Sequence, residues 1–145
     1  MPEPLRIRKR PPRSSVVALL EAEGLPAADL TEAHLRHFFF IGTDGAPSAL
    51  VGLEICGEEA LLRSLVVSAA ARSQGLGSAL VQHAEDYAAA HQVRALYLLT
   101  ITAESYFAHR GYKRLDRAQA PPSIQSTREF ASLCPSSSAF MIKRL

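Results

Sequence analysis

The chain has 145 residues, 48% of them hydrophobic and 21% charged, with a formal net charge of +2. That is the composition of one globular unit, residues 1–145, long enough to bury a core and too short for two, and it excludes both a disordered chain and a strongly basic nucleic-acid binder. No apolar run reaches membrane-spanning length, the charged, proline-rich start does not read as a signal peptide, and Cys56 and Cys134 form neither a metal spacing nor a disulfide framework. The expectation is a soluble cytoplasmic protein with reduced thiols, no metal, and neither nucleic acid nor membrane as partner.

In chain order, "LRIRKR" alternates apolar and basic residues and reads as a short edge strand ended by Pro11 and Pro12, although a basic arm for a polyanion has the same composition. Ser14 or Ser15 is placed to cap a helix through "VVALLEAEG", which Gly24 stops. "LPAADLTEAHLR" reads as loop and a short helical piece. A hairpin array follows: "RHFFFIGT", the turn "DGAP", "SALVGLEIC", the turn "GEE", and "ALLRSLVV". From Ser78 to His91 the period is helical, with Leu80, Val81, Ala84 and Tyr87 on one side. "ALYLLT" is a strand buried on both faces, "AESYFAHRG" a second helix, "YKRLDRA" and "SSAFMIKRL" the closing strands, and "PPSIQSTREFASLCP" a capped helical insert between prolines.

The stretch "ARSQGLG" ends a strand and starts a helix. The first amides of a helix have no partner within it and sit at the positive end of its dipole, and glycine lets a ligand's phosphates approach the backbone. The loop therefore suits a diphosphate. It lacks the lysine of a Walker loop and the third glycine of a dinucleotide fingerprint, and a plain tight turn remains the alternative.

Arg72-Ser73-Gln74-Gly75-Leu76-Gly77 matches the R/Q-x-x-G-x-G/A signature of the GCN5-related N-acetyltransferases, the GNAT family, and "SLVVSAAARSQGLGSALV" resembles that family's acetyl-CoA strand, loop and helix. The order of elements is similar throughout. The resemblance implies an α+β fold, a mixed, splayed sheet of about seven strands with helices on both faces. It also implies acetyl-CoA as co-substrate, with Leu65, Val66 and Val67 offering backbone groups to the pantetheine arm. The amides from Arg72 through Ser73, Gln74, Gly75, Leu76 and Gly77 to Ser78 would hold the pyrophosphate, Arg72 adding charge, and the Val67 amide would polarise the thioester carbonyl. A homodimer is expected on the same ground.

Beyond "ALYLLT" the family pattern N-x-x-A-x-x-F-Y-x-x-x-G-F is met at Ala103, Gly111 and Tyr112, but Thr100 replaces the asparagine. Phe107 occupies the place where many members carry the tyrosine that reprotonates the coenzyme A thiolate, and the resemblance implies that it would lie against the coenzyme. Tyr106 is about a hundred degrees around the helix, which sends its hydroxyl elsewhere. Solvent can supply the proton, since a thiol pKa near ~8.5 makes the thiolate a tolerable leaving group. "YLLTITAESYFAHRGYKR" resembles the same region of N-acetylglutamate synthase acetyltransferase domains. "LLRSLVV" and "IQSTREFASLCPSSSAFMIKRL" are similar to a small group of acetyltransferases associated with arsenic resistance determinants.

Acetyl transfer needs a base within reach of the amine. In "ALVGLEIC" the alternation separates Glu54 from Val51, Leu53 and Ile55, making it the leading candidate. With a turn at Glu58 and Glu59 it would lie opposite Arg63, so an ion pair is the competing role; Arg63 is also placed to bind a substrate carboxylate or oxyanion. Thr100 and Thr102 suit substrate hydrogen bonds or a helix cap, and Arg128 and Glu129 suit a pocket wall or an exposed helical face. His83 and His91 read as solvated, His109 as a complement to its helix dipole, and Cys134 as an incidental thiol rather than an arsenic ligand. The resemblance implies an acetyl-CoA-dependent N-acetyltransferase for a small amino-acid-like amine, by direct attack in a ternary complex, with a role in arsenic or antimetabolite resistance. The alternatives are a protein or peptide N-acetyltransferase and a non-catalytic acyl-CoA-binding module.

Overall fold

The computed structural model describes residues 6–133 and 137–145. Its strands are β1 (Arg8–Lys9), β2 (Phe38–Gly42), β3 (Pro47–Cys56), β4 (Glu59–Val67), β5 (Ala95–Thr100), β6 (Lys113–Arg114) and β7 (Ala139–Arg144), and they form one sheet in the order β1-β2-β3-β4-β5-β7-β6. All neighbouring pairs are antiparallel except β4 and β5. The helices are α1 (Arg13–Ala22), α2 (Glu32–Leu35), α3 (Leu76–Ala90), α4 (Glu104–His109) and α5 (Pro122–Gln125), with one π-turn at Glu129–Leu133.

Strand alternation divides the core between the two faces of the sheet. Phe39, Val51, Leu53, Leu62, Leu96 and Leu98 pack with Leu80, Val81 and Ala84 of α3 and with Phe107 of α4. Phe38, Phe40, Leu50 and Val66 pack on the other side against Val16 and Leu20 of α1 and Leu35 of α2. A smaller cluster beside it joins Leu61, Tyr97 and Phe140 to Ile124 of α5. Gly52 pairs with Phe38 across β2 and β3, and a methyl group there would meet the Phe38 ring at 2.3 Å, so the ring fills the place of the missing side chain.

Several boundaries differ from the sequence expectation. Helix α1 starts at Arg13 with Pro12 in the capping position and no side-chain cap, because the fixed proline φ already sets the helical entry that Ser14 or Ser15 would have supplied. It ends as expected: Gly24, at φ 72, lets the Leu25 amide bond to the Leu20 carbonyl and its own amide to the Glu21 carbonyl. "YKRLDRA" keeps only two residues of strand. The proline-bounded insert splits into α5 and the π-turn, where the Thr127 hydroxyl donates to the Ile124 carbonyl and accepts the Phe130 amide. Cys134 and the start of "LRIRKR" at Leu5 lie outside the described residues.

Candidate active site

A single extra residue in β4 shapes the site. The register passes from Leu50 opposite Val66 to Gly52 opposite Arg63, so Ser64 and Leu65 together face Val51, and Ser64 takes φ 60. This bulge bends β4. Pairing with β5 stops at Leu61–Tyr97, while β5 continues beside β7 as far as Thr100–Ala139. From Leu62 onward that edge of β4 has no strand partner among the described residues, and its backbone groups face a wedge-shaped gap.

The glycine loop lies at the open end of the gap. Gly75, at φ 76, occupies the N-cap position of α3, and Ser73 is also left-handed at φ 67. Helix α3 begins at Leu76, two residues before the sequence period suggested, and its first intrahelical bond runs from the Ala79 amide to the Gly75 carbonyl. The amides of Leu76, Gly77 and Ser78 therefore have no partner within the helix. A groove of about 340 Å³ runs along Leu65, Val66, Val67 and the loop from Arg72 to Ser78, with Gln74 alone of those residues outside its wall. Arg72 lies at the groove, where its guanidinium donates to Glu23 at 2.8 Å and to the Val67 carbonyl at 3.4 Å. Tyr106 also lines the groove, its hydroxyl 2.9 Å from Ser78 Oγ. Its hydroxyl does turn away from Phe107, but into the α3 end of the same site.

Leu65 is shared with a second cavity of about 510 Å³, between the loop after α1, the bulged segment of β4, the β5–α4 connection and the π-turn. Phe107 and Thr100 line it; the Thr100 hydroxyl accepts the amide of Ala103 at 3.0 Å, and since Ala103 itself takes the N-cap position of α4 without a side-chain cap, Thr100 is a cavity residue that fixes the approach to the helix rather than its cap. Thr102 stands exposed at its mouth beside Ile101. Arg128 is exposed and outside the wall, whereas its neighbour Glu129 is buried and within it.

Arg63 is the centre of a buried charge cluster. Asp29, on the loop before α2, takes its bidentate face at 2.5 and 2.9 Å, Glu54 accepts from Nη1 at 3.0 Å, and Nε donates to Ser64 Oγ. Arg63 side-chain exposure is 0% and that of Asp29 is 1%. The bidentate face expected for a substrate carboxylate is thus used within the chain. The hairpin turn is at Gly57 and Glu58, not Glu58 and Glu59, so Glu54 pairs with Leu61 rather than Arg63; the two charges meet diagonally across the strands. Glu54 is outside the cavity wall and turns toward His34, at 3.4 Å. Burial pushes the Asp29 carboxyl up, but the hydrogen bonds and charge of Arg63 outweigh it and hold the group below the usual range. Asp29, His34 and Glu54 bring ligand atoms within 4.8 Å of one another, a spacing open to a cation, but the guanidinium already engages both carboxylates.

Elsewhere, Glu85 on α3 is buried and accepts from the Tyr112 hydroxyl and the Lys143 ammonium, both at 2.9 Å, which ties α3 to the segment after α4 and to β7. Burial, and then the charge of Glu85, push the Tyr112 phenol up. His83 is half-buried with its ring against Phe39, not solvated as its position suggested. The Cys56 thiol is pushed up, first by burial and then by Glu54 and Glu59, which disfavours a thiolate nucleophile.

Similarity to known proteins agrees with this geometry. N-acetylglutamate synthase from Neisseria gonorrhoeae, complexed with coenzyme A and N-acetyl-glutamate, superposes with a TM-score of 0.82 at 21% identity, over 100% of this chain and 36% of that one. This chain therefore spans well under two thirds of the Neisseria protein. Rv2747 from Mycobacterium tuberculosis, in complex with CoA, gives 0.76 at 18% identity over 97% of this chain and 99% of that one. PaiA N-acetyltransferase from Thermoplasma acidophilum, in complex with coenzyme A, gives 0.66 at 15% over 99% and 100%. These likenesses establish the fold. Residues 6–116 match the family model described as the acetyltransferase (GNAT) family.

Proposed function

Because the chain belongs to the acetyltransferase (GNAT) family, we propose that it is an acyl-CoA N-acetyltransferase whose acceptor is a small amino-acid-like amine acetylated directly from acetyl-CoA. The observation that carries this reading is the cavity of about 510 Å³ that meets the coenzyme groove at Leu65. Its size is that of a small-molecule site, and the proline-bounded insert contributes a wall where a peptide substrate would need an open trough. The likeness to a synthase complexed with N-acetyl-glutamate supports an amino-acid acceptor. The resemblance of "LLRSLVV" and the tail "IQSTREFASLCPSSSAFMIKRL" to acetyltransferases associated with arsenic resistance determinants extends the candidates to glutamate analogues carrying phosphorus or arsenic.

In this reading the pantetheine arm lies along the free edge of β4, the pyrophosphate rests on the amides at the start of α3, and Arg72 exchanges Glu23 for phosphate oxygens. The thioester then sits at the bulge, where a backbone amide near Val67 meets the carbonyl oxygen as it gains charge. The amine attacks from the cavity in a ternary complex. The raised Cys56 thiol supports direct attack over a covalent enzyme intermediate. A homodimer, expected on resemblance, is checked by sedimentation.

The test is coenzyme A release from acetyl-CoA with glutamate, other amino acids, phosphinothricin-like and arsenic-bearing analogues, and a lysine peptide. Turnover on one small amine and not on the peptide is expected. Turnover on the peptide alone would overturn the acceptor class, and acetyl-CoA binding with no turnover on any amine would favour a binding module.

A further inference from the structure

The carboxylates around Arg63 do not share one role. Asp29 is committed to a bidentate ion pair, and Glu54 is hydrogen-bonded to Arg63, faces His34 and stands outside the cavity wall. Glu129 is different. It is buried at 5% exposure, lines the cavity with Phe107, Thr100 and Leu65, and lies 3.8 Å from Arg63 Nε, whose hydrogen is directed to Ser64 Oγ instead. Among the described residues no hydrogen bond reaches its carboxylate, and Arg63 Nε stands only at ion-pair distance, so on the cavity side it can accept a ligand's N–H groups. The backbone that carries it is a π-turn, held by Phe130: the ring packs edge-on to Phe140 at 5.3 Å, the Arg117 guanidinium lies 4.7 Å above it, and Arg117 Nη2 donates to the Phe130 carbonyl at 3.2 Å.

We propose that Glu129, rather than Glu54, takes the proton from the acceptor ammonium and so frees the amine to attack the thioester. This rests on the small-amine reading above. The Glu129 carboxylate accepts one ammonium proton, and the nitrogen lone pair forms the C–N bond at the carbonyl carbon as the C=O π pair moves to oxygen. The tetrahedral adduct collapses, the C–S bond breaks, and the sulfur departs with the bonding pair. The second nitrogen proton passes to that thiolate, giving the amide and free coenzyme A, and Glu129 returns its proton to solvent through the cavity mouth. One proton is released for each turnover.

The surroundings suit this task. Burial pushes the Glu129 carboxyl up, Arg63 draws it down, and Glu54 and Asp29 push it up again, to about 7 overall. The charged or titratable groups that face it are therefore Arg63 from β4, Glu54 from β3 and Asp29 from the loop before α2, with His34 of α2 behind the last two. A base is most useful when its pKa lies near the working pH. The excess of acid over base in the cluster also favours an ammonium over a second carboxylate at this end of the cavity.

The experiment compares the wild type with E129Q, E129D and E54Q, on an amine that the wild type acetylates, from about pH 6 to about pH 9. E129Q is expected to bind acetyl-CoA with unchanged Kd and to lose about 10²–10³ in kcat. Wild-type kcat/KM should rise with pH through about 7 and then level off, whereas E129Q, which must wait for amine already neutral in solution, should keep rising toward the amine's own pKa. E129D should recover part of the rate, and E54Q should keep a rate near wild type with the step still present but moved to lower pH, because the charge of Glu54 pushes Glu129 up. Activity of E129Q within about threefold of wild type, or transfer of the pH step to E54Q, overturns the assignment. If the wild type binds acetyl-CoA but acetylates no amine, the acceptor reading fails separately. Glu129 is then read by carboxyl ¹³C resonances in glutamate-labelled protein: a midpoint near 7, absent from E129Q, supports it, and one in the ordinary carboxylate range overturns it.

Discussion

Replacing Arg63 by methionine tests the buried cluster most directly. The side chain of Arg63 is 0% exposed and those of Asp29 and Glu129 are 1% and 7% exposed, so the variant leaves two carboxylates out of water without a counter-charge. Breaking one side of a buried, hydrogen-bonded ion pair costs about 3–5 kcal/mol. For a domain of this size that is a fall in Tm on the order of 10–20 °C. The sign of the pH dependence follows from Asp29. Its folded pKa lies below the unfolded one, so the pair stabilises the native state above the unfolded value, and that contribution is lost as pH falls through the folded one. The gap between wild type and variant should therefore be widest in mildly alkaline buffer and narrow on acidification, as the orphaned carboxyls take up protons. Circular-dichroism melts at about pH 8 and about pH 5 measure it, with R63M/D29N as second variant, which removes the worst orphaned charge and should recover a substantial part of the loss. A drop smaller than about 4 °C in alkaline buffer, or no recovery in the double variant, would refute the reasoning.

Three other outcomes follow. In G52A the new methyl would stand 2.3 Å from the Phe38 ring; overpacking of this kind costs about 1–3 kcal/mol by chemical denaturation, and a second change, Phe38→Leu, should restore most of it. Arg72 pairs with Glu23 at 56% side-chain exposure; R72A should shift stability by less than about 1 kcal/mol, yet weaken acetyl-CoA about tenfold or more by calorimetry. E129Q should be more stable than wild type in alkaline buffer, by on the order of 1–3 kcal/mol, and level with it in acid. The reason is that Glu129's folded pKa is raised to about 7, so wild-type stability declines as pH rises from the ordinary carboxylate range through that value, and glutamine escapes the decline. Equal melts for E129Q and wild type at both ends would count against a Glu129 carboxyl raised by burial beyond what Arg63 draws down.

The loop proposed to hold the coenzyme was legible because its chemistry is local. A glycine at φ 76, free helix amides and an arginine all lie within seven residues, Arg72 to Ser78, and their spacing is the signature itself. The acceptor side depends on what the sheet brings together from afar. Asp29 sits in a stretch readable only as loop, yet the bulge after Arg63 aligns the guanidinium with it across 34 positions of sequence. No periodicity marks that contact. Glu54 was placed opposite Arg63 by assuming the turn at Glu58 and Glu59, and the turn formed one residue earlier; the ion pair survived because long side chains reach diagonally. Arg128 and Glu129 could not be told apart while the insert was taken as ordinary helix, since only the π-turn decides which of two neighbours faces inward.

The sheet is two sheets joined by a short seam. β1 to β4 form one antiparallel meander, and β5, β7 and β6 form the other; among the described residues the strand pairing between them is the parallel ladder from Glu59–Ala95 to Leu61–Tyr97. Three residue pairs make a weak zip, and parallel pairing closes late because its ends are far apart in sequence. The first meander is therefore expected to fold as its own cooperative unit, with β5 docking afterwards. In the native state the amides of β5 should exchange with deuterium through openings smaller than global unfolding. A coenzyme lodged in the wedge would touch both halves at once, and slower exchange in β5 on adding acetyl-CoA would show the ligand serving as the missing length of ladder.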